Sequence, residues 1–314
     1  MTATEQQLSV AELHAAALAD VAAGRRTEAV AVYQECLHRE PENADLLYEY
    51  GELLLSLKRL EEAADCFRRI LADNPAEAAT VLLLASALHR LKRPKDALHY
   101  YRQGQRLVPD RAVVHLMAGI TALESDQRDV ARQAFDRALE LDPAQTSARL
   151  CHCMALLDMF GSQEELEARR ANFADALTDL VRHTPLDSKK AVDRAVEAVG
   201  LQTTFLLPYQ GKNDRDLQRV YGAWLCRVMA AHSPQFNLLE SVPAPALGEK
   251  LRIGFVCAHF RNHSVWKIIT RGWLTHLDRS RFLLFCYYTG DICDAATEEA
   301  RRLSDCFVRG TDGV

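Results

Sequence analysis

The chain has 314 residues, 48% of them hydrophobic, and a formal charge of −5 at pH 7. That length fits two domains with ample apolar material for buried cores, and the acidic balance gives no electrostatic footing for nucleic-acid binding. Residues 1–13, MTATEQQLSVAEL, contain no basic stretch leading into an apolar run, so no secretory leader is expected. No apolar stretch approaches 18 residues, so no membrane span is expected either, and the expected location is cytoplasmic. The nine cysteines are scattered, most of them among apolar neighbours (Cys36, Cys66, Cys226, Cys257, Cys286), and read as reduced, buried, small hydrophobes.

From residue 10 the sequence repeats. Pro41, Pro75, Pro109 and Pro143 stand 34 residues apart, the length of a two-helix tetratricopeptide (TPR) unit. With each proline at position 32, the repeats run 10–43, 44–77, 78–111 and 112–145. Position 20 is then Ala29, Ala63, Ala97 and Ala131. Position 24 is Tyr33, Phe67, Tyr101 and Phe135, and position 8 is Ala17, Gly51, Ala85 and Gly119. Small residues let antiparallel helices approach, the aromatic fills space between neighbouring pairs, and the proline stops the second helix. An α-solenoid of about four repeats is expected over 1–160.

After Pro143 the pattern decays. Residues 146–158 can form one more first helix, but position 20 of a fifth repeat would be Glu165. The tight cluster Cys151-His152-Cys153 lacks zinc-site spacing and reads as helical core, so no metal site is expected. Segment 162–182 carries Leu166, Phe173, Leu177 and Leu180 at helical spacing, an element suited to closing the solenoid's last apolar face. A further helix is expected over 188–199. Pro208 and Gly211 mark a turn, and Asn213 or Asp214 can cap a helix over about 215–231. The polar cluster Tyr209, Gln210, Asn213 and Asp214 reads as a structural joint between the helical region and a C-terminal sheet. Residues 161–240 form a helical capping region, and SVPAPALGEK (241–250) is the clearest linker.

Beyond the linker the chain turns to α/β. Leu251–Cys257 and Phe282–Tyr288 read as buried strands and 264–277 as a helix. DRSR (278–281) is a turn, 294–305 a second helix, and Phe307-Val308 the start of a third strand. That order opens a parallel, doubly wound sheet, and ligands of such sheets bind at the carboxyl ends of the strands. The loop His259-Phe260-Arg261-Asn262-His263 lies there. An imidazole at His263 can accept a proton or orient a hydroxyl near neutral pH. Trp266 and Trp273, seven residues apart, read as one core-facing helical stripe.

The repeats together with LPYQGKNDRDLQRVYG, LRIGFVCAHFRNHSVWKI and DRSRFLLFCYYTG resemble the bacterial O-GlcNAc-transferase-like proteins of SPINDLY type, in glycosyltransferase family 41. The resemblance covers essentially the whole chain. It implies a TPR superhelix joined to a Rossmann-like GT-B enzyme that needs no metal. Such an enzyme moves GlcNAc from UDP-GlcNAc, as donor substrate rather than cofactor, to Ser or Thr of protein acceptors. It further implies that His263 sits in the active-site cleft as a catalytic or acceptor-positioning group. Asn262, His259 and Arg261 are its candidate substrate-binding companions.

Two features depart from that family. Residues 251–314 correspond only to the beginning of the catalytic lobe, so the chain by itself is expected to bind and not to turn over. A complete enzyme would need about 300 further residues. The asparagine ladder of the inner TPR surface is absent as well: position 6 is Ala15, Glu49, Leu83 and Met117. Glu49, Glu52 and Ser86 are left as candidate peptide contacts. A non-catalytic TPR adaptor and a transferase with another acceptor or sugar are the alternative readings.

Overall fold

The computed structural model describes residues 8–155, 161–236, 246 and 248–310. Residues 1–7, the end of the fifth first helix (156–158) and linker positions 241–245 and 247 lie outside the described residues. The chain divides into two compact units, Met1–Asn237 and Leu238–Val314.

The first unit is a TPR solenoid. Its four helix pairs are α1 Val10–Ala22 with α2 Arg26–Arg39, α3 Ala44–Ser56 with α4 Leu60–Asp73, α5 Ala78–Arg90 with α6 Pro94–Leu107, and α7 Ala112–Glu124 with α8 Arg128–Leu141. Every second helix stops two residues before its proline, as the steric rule requires. The alanine and aromatic columns are buried, and the small column explains itself by contact. A Cβ on Gly51 would come within 2.6 Å of the Phe67 ring, and one on Gly119 within 2.4 Å of Phe135. The aromatic thus fills space inside its own pair, while Tyr33 also meets Tyr50 of the next pair at 5.8 Å.

A fifth 34-residue column is invisible in the residue types. Gly24, Lys58, Lys92 and Asp126, each in the turn inside a pair, all have positive φ, from 58° to 78°. Only the first is glycine, so residue type hides the shared backbone conformation.

The solenoid is closed by α9 Thr146–Ala155, α10 Gln163–Arg182, α11 Lys189–Ala198 and α12 Arg215–His232. Leu166, Phe173, Leu177 and Leu180 are all buried, as their spacing predicts. Leu150 and Cys153 of α9 join Phe173, Leu177, Ala195 and Trp224 in one apolar cluster. A polar seam within it is satisfied: Trp224 Nε1–H donates to Thr184 Oγ1 at 2.9 Å, and Thr184 donates to the Leu180 carbonyl at 2.6 Å. Burial pushes the Cys151 and Cys153 thiols up to about 12, the behaviour of core residues. Cys226, by contrast, is exposed on α12, not buried, because Tyr221, Trp224 and Val228 take the inward face of that helix.

The polar cluster at 209–214, expected to join the helical region to the sheet, is bonded within the helical unit. Arg170 of α10 donates to Gln210 Oε1 (2.9 Å) and to the Asn213 carbonyl (2.6 Å), and pairs with Asp214 at 2.7 Å. Asn213, not Asp214, supplies the side-chain oxygen that receives the Arg215 N–H. Tyr209 points outward beside Phe205.

The second unit is a three-stranded parallel sheet, β1 Leu251–Cys257, β2 Phe282–Tyr288 and β3 Cys306–Arg309, in spatial order 1-2-3. Leu251 pairs with Phe282 and Cys257 with Tyr288, while Phe285 pairs with Cys306. A helical turn over 264–276, ending in α13 Arg271–His276, joins β1 to β2, and α14 Ala295–Leu303 joins β2 to β3. Phe260, Trp266, Leu274, Leu284, Cys286, Tyr288 and Ala300 form its core.

Two expectations are corrected here. β1 is not a buried strand. Ile253, Phe255 and Cys257 face the core, but Val256 is 73% exposed and its register partner Tyr287 41% exposed on the opposite face. Strand alternation sends every second residue to a face that the two crossover helices do not cover. Trp266 and Trp273 do not share a face either: Trp266 is 2% exposed and Trp273 57%. Residues Trp266–Thr270 form a π turn, and its wider winding carries Trp273 out of phase.

Candidate functional site

The loop after β1 carries the candidate chemistry, and its conformation starts from a short-range bond. The His259 N–H approaches Cys257 Sγ at 3.2 Å, turning the chain at the strand end. Phe260 then plunges into the core against Trp266, Tyr288 and Phe307. With Phe260 anchored inward, His259 and His263 come together on the other side. Their rings stack with centroids 4.0 Å apart and planes 11° from parallel. His259 Nδ1 is buried and has no hydrogen-bond partner among the described residues.

His263 is half-buried, and its Nδ1 accepts the Val265 N–H at 3.2 Å. Loss of water, then the neighbouring His259 and Arg261, hold its pKa below the usual value, so it is neutral at pH 7. A neutral imidazole whose Nδ1 accepts must carry its proton on Nε2. His263 therefore offers an Nε2–H donor, suited to orienting an oxygen lone pair and unsuited to taking a proton at that nitrogen. Of the two roles open from sequence, this geometry favours positioning.

Asn262, beside it, borders a cleft of about 620 Å³. Trp266, Lys267 and Arg271 line one side, and Asp294, Glu299 and Arg302 the other. Arg271 pairs with Glu299 at 2.9 Å. These cleft residues were missed from sequence because they come from two helices whose faces only the crossover brings together. Arg261 is half-buried next to the histidine pair and does not border this cleft. Among the described residues, no group of three or more His, Cys, Asp or Glu could hold a metal ion.

The candidate peptide contacts lie in the other unit, on the first helices of their pairs. Glu49 of α3 is bonded to His14 of α1, and the Tyr33 hydroxyl donates to it at 2.9 Å. Burial, with Glu49 beside it, drives the Tyr33 phenol well above its ordinary pKa. Ser86 on α5 is bonded to Tyr101, whose phenol burial pushes up to about 12. Glu52 alone of the three projects into solvent. A second His–Glu pair, His89 of α5 with Glu124 of α7 at 3.0 Å, repeats the spacing of His14 and Glu49. Two His–Glu pairs thus cross-link neighbouring first helices, and one of them engages Glu49.

Comparison with known proteins agrees on the repeats. The tetratricopeptide repeat family matches residues 20–87. Protein CTR9 homolog of Arabidopsis thaliana is 33% identical over 99 residues, which are 31% of this chain and 9% of that protein's length. The crystal structure of MamA superposes with a TM-score of 0.50 at 14% identity, covering 55% of this chain and 91% of MamA. At that identity the likeness is one of fold. A mutant O-GlcNAc transferase of Thermobaculum terrenum gives a TM-score of 0.49 at 19% identity, over 84% of this chain and 41% of that one. The chain carries tetratricopeptide repeats followed by a small parallel sheet, and no helix among the described residues is long and apolar enough to cross a membrane.

Proposed function

We propose that the chain forms the acceptor-holding part of a protein O-glycosyltransferase, with the solenoid engaging a polypeptide and the β1 loop orienting its Ser or Thr hydroxyl. UDP-GlcNAc is the donor in this reading, and 251–310 is the beginning of a GT-B catalytic lobe. The observation that carries it is His263, a neutral imidazole fixed through Nδ1 at the carboxyl end of a parallel strand, with Nε2–H as its remaining donor. In the transfer, the acceptor oxygen bonds to the sugar C1 while the bond from C1 to the phosphate oxygen breaks. A donor at Nε2 holds one lone pair of the attacking oxygen and leaves the other directed at C1. The hydroxyl proton must then leave to another base, for which the departing phosphate is available.

The experiment is UDP-GlcNAc transfer to Ser/Thr peptides by the polypeptide as it occurs in its source cells. His263→Ala should lower transfer by about 10²-fold or more with the fold intact. His263→Gln, which keeps a donor and no base, should retain a measurable part of the activity. Unchanged transfer in His263→Ala would remove His263 from the site. Peptide binding with no UDP-GlcNAc binding would make the chain a TPR adaptor instead.

A further inference from the structure

The β1 loop is gripped at every second residue by one segment, 290–297. At Ala258, its carbonyl lies against Gly290 so closely that a Cβ there would come within 2.6 Å. At Phe260, the carbonyl receives the Thr297 Oγ1–H at 2.6 Å, and both residues are wholly buried. At Asn262, the backbone N–H donates to Asp294 Oδ2 at 2.7 Å. The other oxygen of that carboxylate, Oδ1, caps α14 by accepting the N–H groups of Ala296 (2.9 Å) and Thr297 (3.2 Å). One carboxylate therefore divides its two oxygens between a helix terminus and the histidine loop. An N-cap needs only one acceptor, so the second contact serves the loop and not the helix.

We propose that Asp294 and Thr297 are positioning residues that set the His259–His263 stack and the direction of His263 by clamping the loop at residues 260 and 262. What the positioned histidine does rests on the transferase reading; that the clamp positions it does not. Because Phe260 and Asn262 flank Arg261 and precede His263, releasing either tether frees the backbone that carries both rings.

The test uses the full chain and two nearly isosteric variants. Asp294→Asn keeps an oxygen for the α14 cap and turns an NH2 toward the Asn262 N–H, so it removes the loop bond alone. Thr297→Val removes the bond to the Phe260 carbonyl together with the Asp294 N–H bond to Thr297 Oγ1, and leaves the Asp294 Oδ1 side of the α14 cap in place. Two NMR readouts are followed: hydrogen exchange of the Asn262 amide, and the imidazole proton shifts of His259 and His263, which stacking displaces. In Asp294→Asn, Asn262 exchange should quicken by about tenfold or more, and both imidazoles should move toward unstacked shifts while α14 amides stay protected. Thr297→Val should move the imidazole shifts the same way. Imidazole shifts unchanged in both variants would overturn the proposal, as would a fall in melting temperature with no such shift, which marks a merely structural cap. Transfer by the source-cell polypeptide is read separately. No transfer by the wild type, with imidazole shifts moved in the variants, would remove the transferase reading and leave the clamp standing. Transfer by the wild type, with transfer and shifts untouched in both variants, would remove the clamp and leave the reading.

Discussion

The solenoid and the sheet bury apolar surface in opposite ways. In the solenoid each helix pair covers its neighbour, and α10 to α12 cover the last pair, so the apolar columns end inside. In the sheet, both crossover helices pack on one face, and Val256 and Tyr287 stay open on the other. A one-dimensional stack closes itself with any suitable cap, whereas a parallel sheet needs helices on two faces. Position in the packing, more than residue type, therefore decides what a substitution costs.

The widest contrast sets core aromatics against exposed residues. Phe135→Ala and Trp266→Ala should each destabilise their own unit by about 3–5 kcal/mol. Trp273→Ala and Val256→Thr should stay within about 1 kcal/mol. Urea unfolding followed by hydrogen exchange in each unit measures both, and a large cost at Val256 would mean that its face is covered in solution. Next in size is Gly119→Val, whose side chain would collide with the Phe135 ring. A loss of about 1–3 kcal/mol is expected, confined to the solenoid. A smaller and opposite effect is expected in the turn column. Lys92→Gly relieves a φ of +59° and should stabilise the solenoid by about 0.5–1 kcal/mol, less than the strain because glycine loses more entropy on folding.

The smallest effect separates the units by pH. His263 has its pKa lowered by desolvation, so the unfolded chain binds more protons than the folded loop at and below about pH 6.5. Stability of the sheet unit should therefore decline as pH falls through that range. Asp294 and Asp305 are lowered chiefly by the backbone N–H groups of Asn262 and Leu284, so a further loss is expected below about pH 4. Melting of the sheet unit that is flat between pH 7 and 5.5 would contradict the environment described for His263.

Much of the solenoid was legible because a TPR column is a local rule repeated. Alanine at position 20 and the aromatic at position 24 meet the same neighbours in every pair, so one period exposes all four. Where the residue type varied and only the backbone repeated, as at Lys58, Lys92 and Asp126, the column could not be read. The candidate site was legible as a loop and not as a geometry. His259 and His263 were visible as residues, but their stacking depends on Phe260 turning inward, and Glu49 on α3 was spoken for by partners in the preceding repeat.

The sequence by itself determined the repeat frame, the change from helices to a parallel βαβαβ order, and the place of the histidine loop at a strand's carboxyl end. Period, capping and alternation are properties of neighbours along the chain. Tertiary structure alone decided which face of the sheet is covered, that a π turn parts Trp273 from Trp266, which nitrogen of His263 is free, and that segment 290–297 grips the loop. The grip joins residues up to 37 positions apart through the way the crossovers pack, while the π turn and the Nδ1 bond are short-range conformations that residue type does not announce.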